Sequence, residues 1–245
     1  MKTTPRLLTP ADLPGCMALK EEAGWNQTEQ DWLALFEFAP DGCFGIEIDG
    51  LLAATITAVT YQSGLAWIGM VLTAARFRRQ GLASALMEHT LDYLASKPVD
   101  WIKLDATSIG QPLYDRFGFE RECGIERWGR PGASASAWFE EQSRALGDSF
   151  ARGRPGSAAA YFGPCQAVSP DVARELLEWF LDLHPGEAIY WDLFPDNTPA
   201  IDLARGHGFA PLRKLVRMAR RSRSAAPPMP TDIDHTYAIA GFEWG

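Results

Sequence analysis

The most constraining feature of this sequence is a short loop that joins an apolar, strand-like run to a helix. Residues 65–72 predict a mostly buried strand and residues 82–95 predict a helix, and the loop between them contains Arg78-Arg79-Gln80-Gly81-Leu82-Ala83. The first N–H groups of a helix have no partner inside it, so they can bind an anion. Gly81 allows close approach of the backbone, Ala83 keeps side-chain bulk away, and the two arginines add positive charge. The loop therefore suits a pyrophosphate group.

The elements around this loop predict an α/β protein. Thr28 and Asp31 form a box-like pair that marks a helix start, and Asp49-Gly50 between two strand-like runs indicates a hairpin. In chain order, the other expected elements are a strand at 3–8, helices at about 9–23 and from 28, strands at 43–48, 51–61 and 101–106, and a short helix at 112–117.

A second informative segment follows that last strand and reads Thr107-Ser108-Ile109-Gly110-Gln111-Pro112-Leu113-Tyr114-Asp115-Arg116-Phe117-Gly118-Phe119. It resembles the segment Asn-x-x-Ala-x-x-Leu-Tyr-x-x-x-Gly-Phe of the GNAT acetyltransferase superfamily. The loop resembles the signature Arg/Gln-x-x-Gly-x-Gly/Ala of the same family. Three positions depart from the family pattern: Ala75 stands where proline is common, Thr107 where asparagine is usual, and Gly110 where alanine is usual.

The resemblance implies a set of site residues and acetyl-coenzyme A as the cofactor. The signature loop would bind the pyrophosphate, and the preceding strand would hold the pantetheine arm through its backbone. Tyr114 falls where many family members have a general acid, and a phenol with a pKa of ~10 can protonate a departing thiolate. The cofactor-binding residues implied in this way are Val71, Leu72, Thr73, Arg78, Arg79, Gln80, Gly81, Leu82, Ala83 and Ser84.

The activity implied by the resemblance is transfer of an acetyl group to a primary amine, directly and in a ternary complex. The acceptor, a small molecule or a peptide, is not identified by the sequence, although residues 25–32 would line its site. A base must deprotonate the amine, and the candidates left open are Glu21, Glu22, Glu29, Glu47 and Asp105.

Two other functions compete with this one. A non-catalytic coenzyme A-binding sensor would keep the loop but would need no proton donor, so Tyr114 in register favours an enzyme. A dinucleotide-binding protein would have a glycine-rich turn near the N-terminus and an acidic residue ~20 residues later. Here the loop of Gly81 comes after four strand-like runs, which disfavours that alternative.

The C-terminal half resembles the first half at matched spacing. Residues 159–164 correspond to 65–70, and the segment 197–209 fits the second family motif; Gly118 follows Gly69 by 49 residues, and Gly208 follows Gly163 by 45. The copy lacks the glycine loop, and Ala204 replaces the tyrosine. We therefore expect two GNAT-like domains in tandem, each with a mixed, largely antiparallel sheet flanked by helices.

The predicted domain bounds are 1–130 for the catalytic domain and 137–245 for the second domain, with a linker at 129–136. The second domain is expected to bind no coenzyme A, because Asp171 at a helix start would repel phosphate. A final strand is expected at 237–244. A chain that ends at Ser136 would then keep the cofactor site but lose any contribution of the second half to transfer.

Composition excludes several other classes of protein. The net charge of −8 and a pI of about 5.1 argue against nucleic-acid binding. No apolar run approaches the ~20 residues that span a bilayer, so we expect a cytoplasmic protein without a membrane partner. The cysteines and histidines have no metal-ligand spacing, so no metal is expected. One basic cluster is interpreted as a solvated strand end and loop or as a phosphate-contacting patch: Arg213, Lys214, Arg217, Arg220, Arg221 and Arg223.

Overall fold

A computed structural model describes residues 4–133, 140–223 and 226–245. In the first half the elements are β1 (Arg6–Leu7), α1 (Leu13–Glu22), α2 (Glu29–Phe38), β2 (Cys43–Ile48), β3 (Leu51–Thr60), β4 (Leu65–Thr73), α3 (Leu82–Ala95), β5 (Trp101–Ala106), α4 (Gln111–Arg116) and β6 (Glu120–Arg130). In the second half they are β7 (Gln142–Leu146), β8 (Ser149–Arg154), β9 (Ala160–Gln166), α5 (Pro170–Leu183), β10 (Ile189–Leu193), α6 (Thr198–Gly206), β11 (Ala210–Arg221) and β12 (Thr236–Ala238).

Local signals place several of these elements where the sequence predicts them. The Thr28 hydroxyl accepts a hydrogen bond from the backbone N–H of Asp31, and the Asp31 carboxylate accepts one from the backbone N–H of Thr28 at 2.6 Å, so α2 begins with a capping box. Asp49 and Gly50 both have positive φ, as a tight two-residue hairpin requires. These two predictions are confirmed.

The fold is α/β, and its strands form one mixed sheet in which the two halves interleave. The order is β1-β2-β3-β4-β5-β11-β6-β10-β9-β8-β7, and β12 pairs with β9. The pairs β4–β5 and β9–β10 are parallel, whereas the other described pairs are antiparallel. Strand β11 from the second half therefore lies between β5 and β6 of the first half.

Two buried ion pairs occupy equivalent positions where strands of one half pair with strands of the other. Arg217 on β11 lies opposite Asp105 on β5, and Arg127 on β6 lies opposite Asp192 on β10. Each guanidinium binds its carboxylate through two nitrogens, and both carboxylates are completely buried. The corresponding strand of each half thus pairs with the other half through the same arginine–aspartate contact.

The predicted linker is partly built into this sheet. Gly129 and Arg130 end β6, and Ala133 forms a bridge with Glu187 of the second half. Residues 134–136 lie outside the described residues. The prediction of a linker is therefore wrong for 129–133, while the division of the chain at 130 and 137 stays a prediction.

Two other expected strands are shorter in the structure. The first is β1, of two residues, and Thr3 of the predicted strand is not among the described residues. The strand expected at 237–244 ends at Ala238. After it, the backbone N–H of Trp244 bonds to the carbonyl of Gly241, whose φ is 137°, so the chain turns instead of extending.

The side chains of β4 and β5 alternate between the two faces of the sheet. Leu104 on β5 and Ile68 on β4 belong to the core that packs against α3. Trp67 lies on the other face, in the core with α1 and α2. Asp105 follows Leu104 and shares the face of Trp67, because successive side chains of a strand point to opposite faces.

The alternation continues on β11. Val216 and Met218 pack against the core on the α3 face. Leu215 and Arg217 therefore lie on the α1–α2 face, and the Arg217 guanidinium stacks 4.6 Å from the Trp67 ring centroid. Arg213, two residues before Leu215, shares this face. Within the described residues, no helix is long and apolar enough to cross a membrane.

Candidate active site between two splayed strands

A β-bulge in β4 opens a wedge in the sheet. Thr55 on β3 lies opposite Leu72 and Thr57 lies opposite Gly69, so two residues of β4 face one residue of β3. Met70 at the bulge has a φ of 46°, and its carbonyl accepts a hydrogen bond from the Thr55 hydroxyl at 2.8 Å. Because a bulge bends its strand, β4 and β5 separate after three paired positions: Leu65–Trp101, Ala66–Ile102 and Trp67–Lys103.

The wedge widens into a cleft of about 810 Å³. Ten of the eleven predicted site residues line this cleft: Val71, Leu72, Thr73, Arg78, Arg79, Gly81, Leu82, Ala83, Ser84 and Tyr114. The exception is Gln80, whose side-chain amide donates a hydrogen bond to the carbonyl of Arg76 at 3.3 Å. The structure therefore brings the loop, the strand and Tyr114 together around one space.

The loop before α3 presents free backbone donors to this cleft. Gly81 is the N-cap of α3, with a φ of 83°, and no side chain caps the helix. The first helical bond runs from the backbone N–H of Ala85 to the carbonyl of Gly81. A Cβ at Gly81 would meet no heavy atom within 4 Å, so the space in front of the helix N-terminus is open. This arrangement can hold an anion.

Three arginines surround the same helix N-terminus. Arg78 and Arg79 are exposed, and the Arg78 Nε donates a hydrogen bond to the carbonyl of Thr73 at 3.2 Å. Arg116 on α4 donates a hydrogen bond to the Ser84 hydroxyl at 3.1 Å. Their charges add to the positive end of the helix dipole, which favours a ligand with more than one negative charge.

Tyr114 is buried at the side of the cleft. It is 7% exposed, and its ring meets the edge of the Phe119 ring at a centroid distance of 6.2 Å. Burial raises the pKa of the Tyr114 phenol above its ordinary value, so the hydroxyl keeps its proton at neutral pH. Gly110 leaves room for the ring, because a Cβ there would lie 3.1 Å from Tyr114 Cε2.

The five candidate bases are distributed very differently. The side chains of four lie outside the cleft lining, on exposed residues: Glu21, Glu22, Glu29 and Glu47. Asp105 does line the cleft, but its carboxylate is completely buried and bound by Arg217, so its main chain is what faces the cleft. The pair Asp192–Arg127 repeats this contact in the second half. The repetition indicates that Asp105 holds the sheet together.

In the segment 25–32, which was predicted to line the acceptor site, one residue lines the cleft and others bind distant parts of the chain. Trp25 lines the cleft. Asn26 instead binds the second half. Its side-chain oxygen Oδ1 accepts hydrogen bonds from the backbone N–H groups of Ala158 and Ala159, and its side-chain Nδ2 donates one to the carbonyl of Ala159. Gln27 donates a 2.7 Å hydrogen bond to Glu243. The loop between α1 and α2 is thus fixed by contacts far along the chain.

The second half supplies part of the cleft wall, a contribution that the sequence had left open. Arg213 and Leu215 of β11 and Phe242 of the C-terminal segment line the cleft. The backbone of Glu243 lies so close to Gly69 that a Cβ on Gly69 would be 3.0 Å from Glu243 Cα. The basic cluster at 213–223 is therefore not exposed to solvent throughout, because Arg217 is buried and Arg213 lines the cleft.

The matching wedge in the second half is filled by the chain itself. Strands β9 and β10 also pair at only three positions, and β12 enters the space beyond them. Thr236 pairs with Gln166, the backbone N–H of Ile239 bonds to the carbonyl of Asp192, and the Trp191 indole donates to the carbonyl of Tyr237 at 2.7 Å. The helix that follows, α5, is capped by its own Ser169 hydroxyl.

Two family models match the chain. The model described as "Acetyltransferase (GNAT) family" matches residues 14–119, and the model described as "Acetyltransferase (GNAT) domain" matches residues 114–238. No curated protein sequence matches the chain significantly. The second match alone spans half of the chain, and the two together cover both halves of the interleaved sheet.

Solved structures share the fold over nearly the whole chain. A Pyrococcus horikoshii protein, provisionally described as an acetyltransferase, has a TM-score of 0.78 at 19% identity and covers 99% of this chain and 96% of its own. A GCN5-related N-acetyltransferase from Sphaerobacter thermophilus has a TM-score of 0.68 at 14% identity, with 93% and 97% covered. A tandem GNAT protein from the clavulanic acid biosynthesis pathway has a TM-score of 0.64 at 11% identity, with 91% and 100% covered.

At these identities the solved structures establish the fold, while the family models establish the relationship. The bulged strand, the open helix N-terminus and the tyrosine beside the wedge all lie within the first matched region. The filled wedge lies within the second. The chain therefore belongs to the GNAT acetyltransferase family and carries two domains of that family in tandem.

Proposed function

We propose that this protein transfers an acetyl group from acetyl-coenzyme A to a primary amine, directly and within a ternary complex. One observation carries the proposal: a wedge between β4 and β5 runs from the open N-terminus of α3 to a compartment on the other face of the sheet. A thioester held in the wedge would be reached by an acceptor from that other face.

The residues of the cleft fit the chemical parts of acetyl-coenzyme A. The backbone N–H groups at Gly81–Ser84 and the arginines around them complement the phosphates. The main chain of Val71, Leu72 and Thr73, beyond the paired part of β4, would hold the pantetheine arm. Acetyl-coenzyme A, when bound, supplies the acetyl group as a reactive thioester.

Tyr114 would act as the general acid. Its hydroxyl is protonated at neutral pH, because burial raises its pKa, and it lines the same wedge as β4. It would donate its proton to the sulfur that leaves when the amine attacks. The candidate carboxylates are exposed outside the cleft or bound in an ion pair. We therefore propose that water in the cleft accepts the proton of the amine.

A mass-spectrometric screen tests the proposed reaction. The protein is incubated with acetyl-coenzyme A and a panel of amines, amino acids and short peptides, and each acceptor is examined for a gain of one acetyl group. Acetylation that depends on the protein and is lost in a Gly81→Glu variant supports the proposal. Coenzyme A binding without transfer to any acceptor would instead indicate a coenzyme A sensor.

A further inference from the structure

Arg213 is a positively charged side chain of the cleft that lacks an anionic partner. It lies at the start of β11, is half-buried and lines the cleft. Its Nε is completely buried without a hydrogen-bond partner. Its guanidinium lies 5.3 Å from the ring centroid of Phe242, and within the described chain it forms no ion pair. An unpaired guanidinium at the wall of the cleft favours a ligand that supplies an anionic acceptor.

The nearby charges do not satisfy Arg213. Arg127 lies close enough to lower the pKa of Arg213, together with the larger effect of burial. The charge of Asp192 acts in the opposite direction on the pKa of Arg213, but Arg127 already binds both of its carboxylate oxygens, at 2.8 and 2.6 Å. The positive charge at Arg213 is therefore uncompensated in the protein by itself.

Arg213 cannot be an additional phosphate contact of the loop before α3, because the two lie on opposite faces of the sheet. The loop precedes α3, which packs against Ile68 and Leu104. Arg213 shares its face with Leu215 and with Arg217, which stacks on Trp67. The cofactor phosphates are already matched by Arg78, Arg79 and Arg116 on the α3 side, so the anion for Arg213 comes from another molecule.

The surroundings of Arg213 favour strong binding of a ligand that carries one negative charge there. Leu215 and Phe242, which belong to one hydrophobic cluster, give the cleft an apolar lining beside Arg213. Among the described residues that line the cleft, Asp105 is the one carboxylate, and Arg217 neutralises it. In an apolar setting a charge-assisted hydrogen bond is stronger than in water, and a guanidinium presents a fork of donors that matches a carboxylate.

We propose that Arg213 binds the carboxylate of the acceptor, and that the acceptors of this protein are small molecules that carry a primary amine and a carboxylate. This inference rests on the proposed function and names its substrate class. The carboxylate lies against Arg213 on the α1–α2 face, so the amine of the same molecule can reach the wedge where β4 and β5 separate. The specificity of the first half is thus set by a strand of the second.

Matched pairs of acceptors test the inference. Each amino acid is compared with its primary amide, which differs by one charge, and kcat/KM for acetylation is measured for both. We expect the wild-type protein to prefer the acid by about 10- to 100-fold, the range of a charged hydrogen bond. The amine of the amide loses its proton more easily than the amine of the acid. This effect alone would favour the amide, so a preference for the acid cannot arise from it.

Two variants separate the role of Arg213 from general charge effects. Arg213→Met keeps apolar packing against Phe242 and should bring the acid-to-amide ratio close to one, through a higher KM for the acid, with coenzyme A affinity unchanged. Lys214→Met is the control, because Lys214 is adjacent but 84% exposed at its side chain and pairs with Glu126. It should keep the wild-type ratio. Unchanged coenzyme A affinity also shows that each variant is folded.

The possible outcomes distinguish this inference from the proposed function. Acetylation of amines without any preference for the acid, or a preference that survives Arg213→Met, overturns the inference and leaves the proposed function standing. A preference for peptides over free amino acids overturns the small-molecule class. Failure to acetylate any amine, with coenzyme A still bound, overturns both.

Discussion

At the scale of single residues, Gly81 is the position where a substitution tests the proposed cofactor site most directly. Its φ of 83° disfavours a side chain, and the space in front of it is open for a ligand. We expect Gly81→Glu to abolish coenzyme A binding in calorimetry, because the new carboxylate fills that space and repels phosphate.

Gly208→Glu provides the matched control for this variant. Gly208 has a φ of 79° and open space in front of it, but it lies at the end of α6 and does not line the cleft. Both variants should lose a similar, small amount of stability, about 1–2 kcal/mol. Normal coenzyme A affinity in Gly81→Glu would remove the loop from the binding site.

Tyr114→Phe tests the general acid. We expect the rate of transfer to fall by about 10²- to 10⁴-fold, with coenzyme A affinity nearly unchanged. Tyr93→Phe, in the last turn of α3 and outside the cleft lining, should have the wild-type rate. In the proposed mechanism the active form of Tyr114 is protonated, and burial raises its pKa. Activity should therefore not fall as pH rises through ~10, the ordinary value for a phenol. Wild-type turnover in Tyr114→Phe would contradict this role.

At the scale of single elements, β12 makes the two wedges different. In the first half the wedge between β4 and β5 is an open cleft, whereas in the second half β12 occupies the corresponding space and bonds to both flanking strands. Asp171 in the first turn of α5 adds a negative charge where a phosphate would lie.

This difference predicts one coenzyme A per chain. Titration calorimetry and native mass spectrometry of the wild-type protein should both give a stoichiometry of one, and the Gly81→Glu variant should give none. A second bound molecule, or one molecule retained in Gly81→Glu, would show that the second wedge opens and binds coenzyme A.

At the scale of the whole molecule, the interleaved sheet makes the first half dependent on the second. Strand β11 separates β5 from β6, and Arg217 on it neutralises the buried Asp105. Leaving a buried charge without its partner costs about 3–5 kcal/mol, a large part of the stability of a typical domain.

We therefore expect a chain that ends at Ser136 to fail to fold, rather than to bind coenzyme A without transfer, as the sequence alone predicts. Circular dichroism and thermal unfolding of the truncated chain check this, with the full chain as control. Addition of residues 140–245 as a separate polypeptide should restore structure. A truncated chain that unfolds cooperatively and binds coenzyme A would show that the first half is an independent domain.

Features that depend on neighbouring residues can be predicted from the amino-acid sequence. The capping pair at Thr28, the turn at Asp49-Gly50, the loop around Gly81 and the tyrosine four residues after Gly110 are local patterns, and the structure has each where it was expected. Duplication was also visible, because two similar segments occur in both halves at spacings of 49 and 45 residues.

The way in which the two halves share the sheet could not be predicted from local patterns and is seen in the folded chain. Strand pairing between residues about 110 positions apart, such as Asp105 with Arg217, depends on which strand edges meet, and no local pattern encodes that choice. For the same reason β12 was expected as the start of a longer strand, the hairpin of β7 and β8 was missed, and Arg213 was counted with a surface cluster. The physical reason is that burial and charge pairing arise from contacts between distant segments, which exist only once the chain has folded.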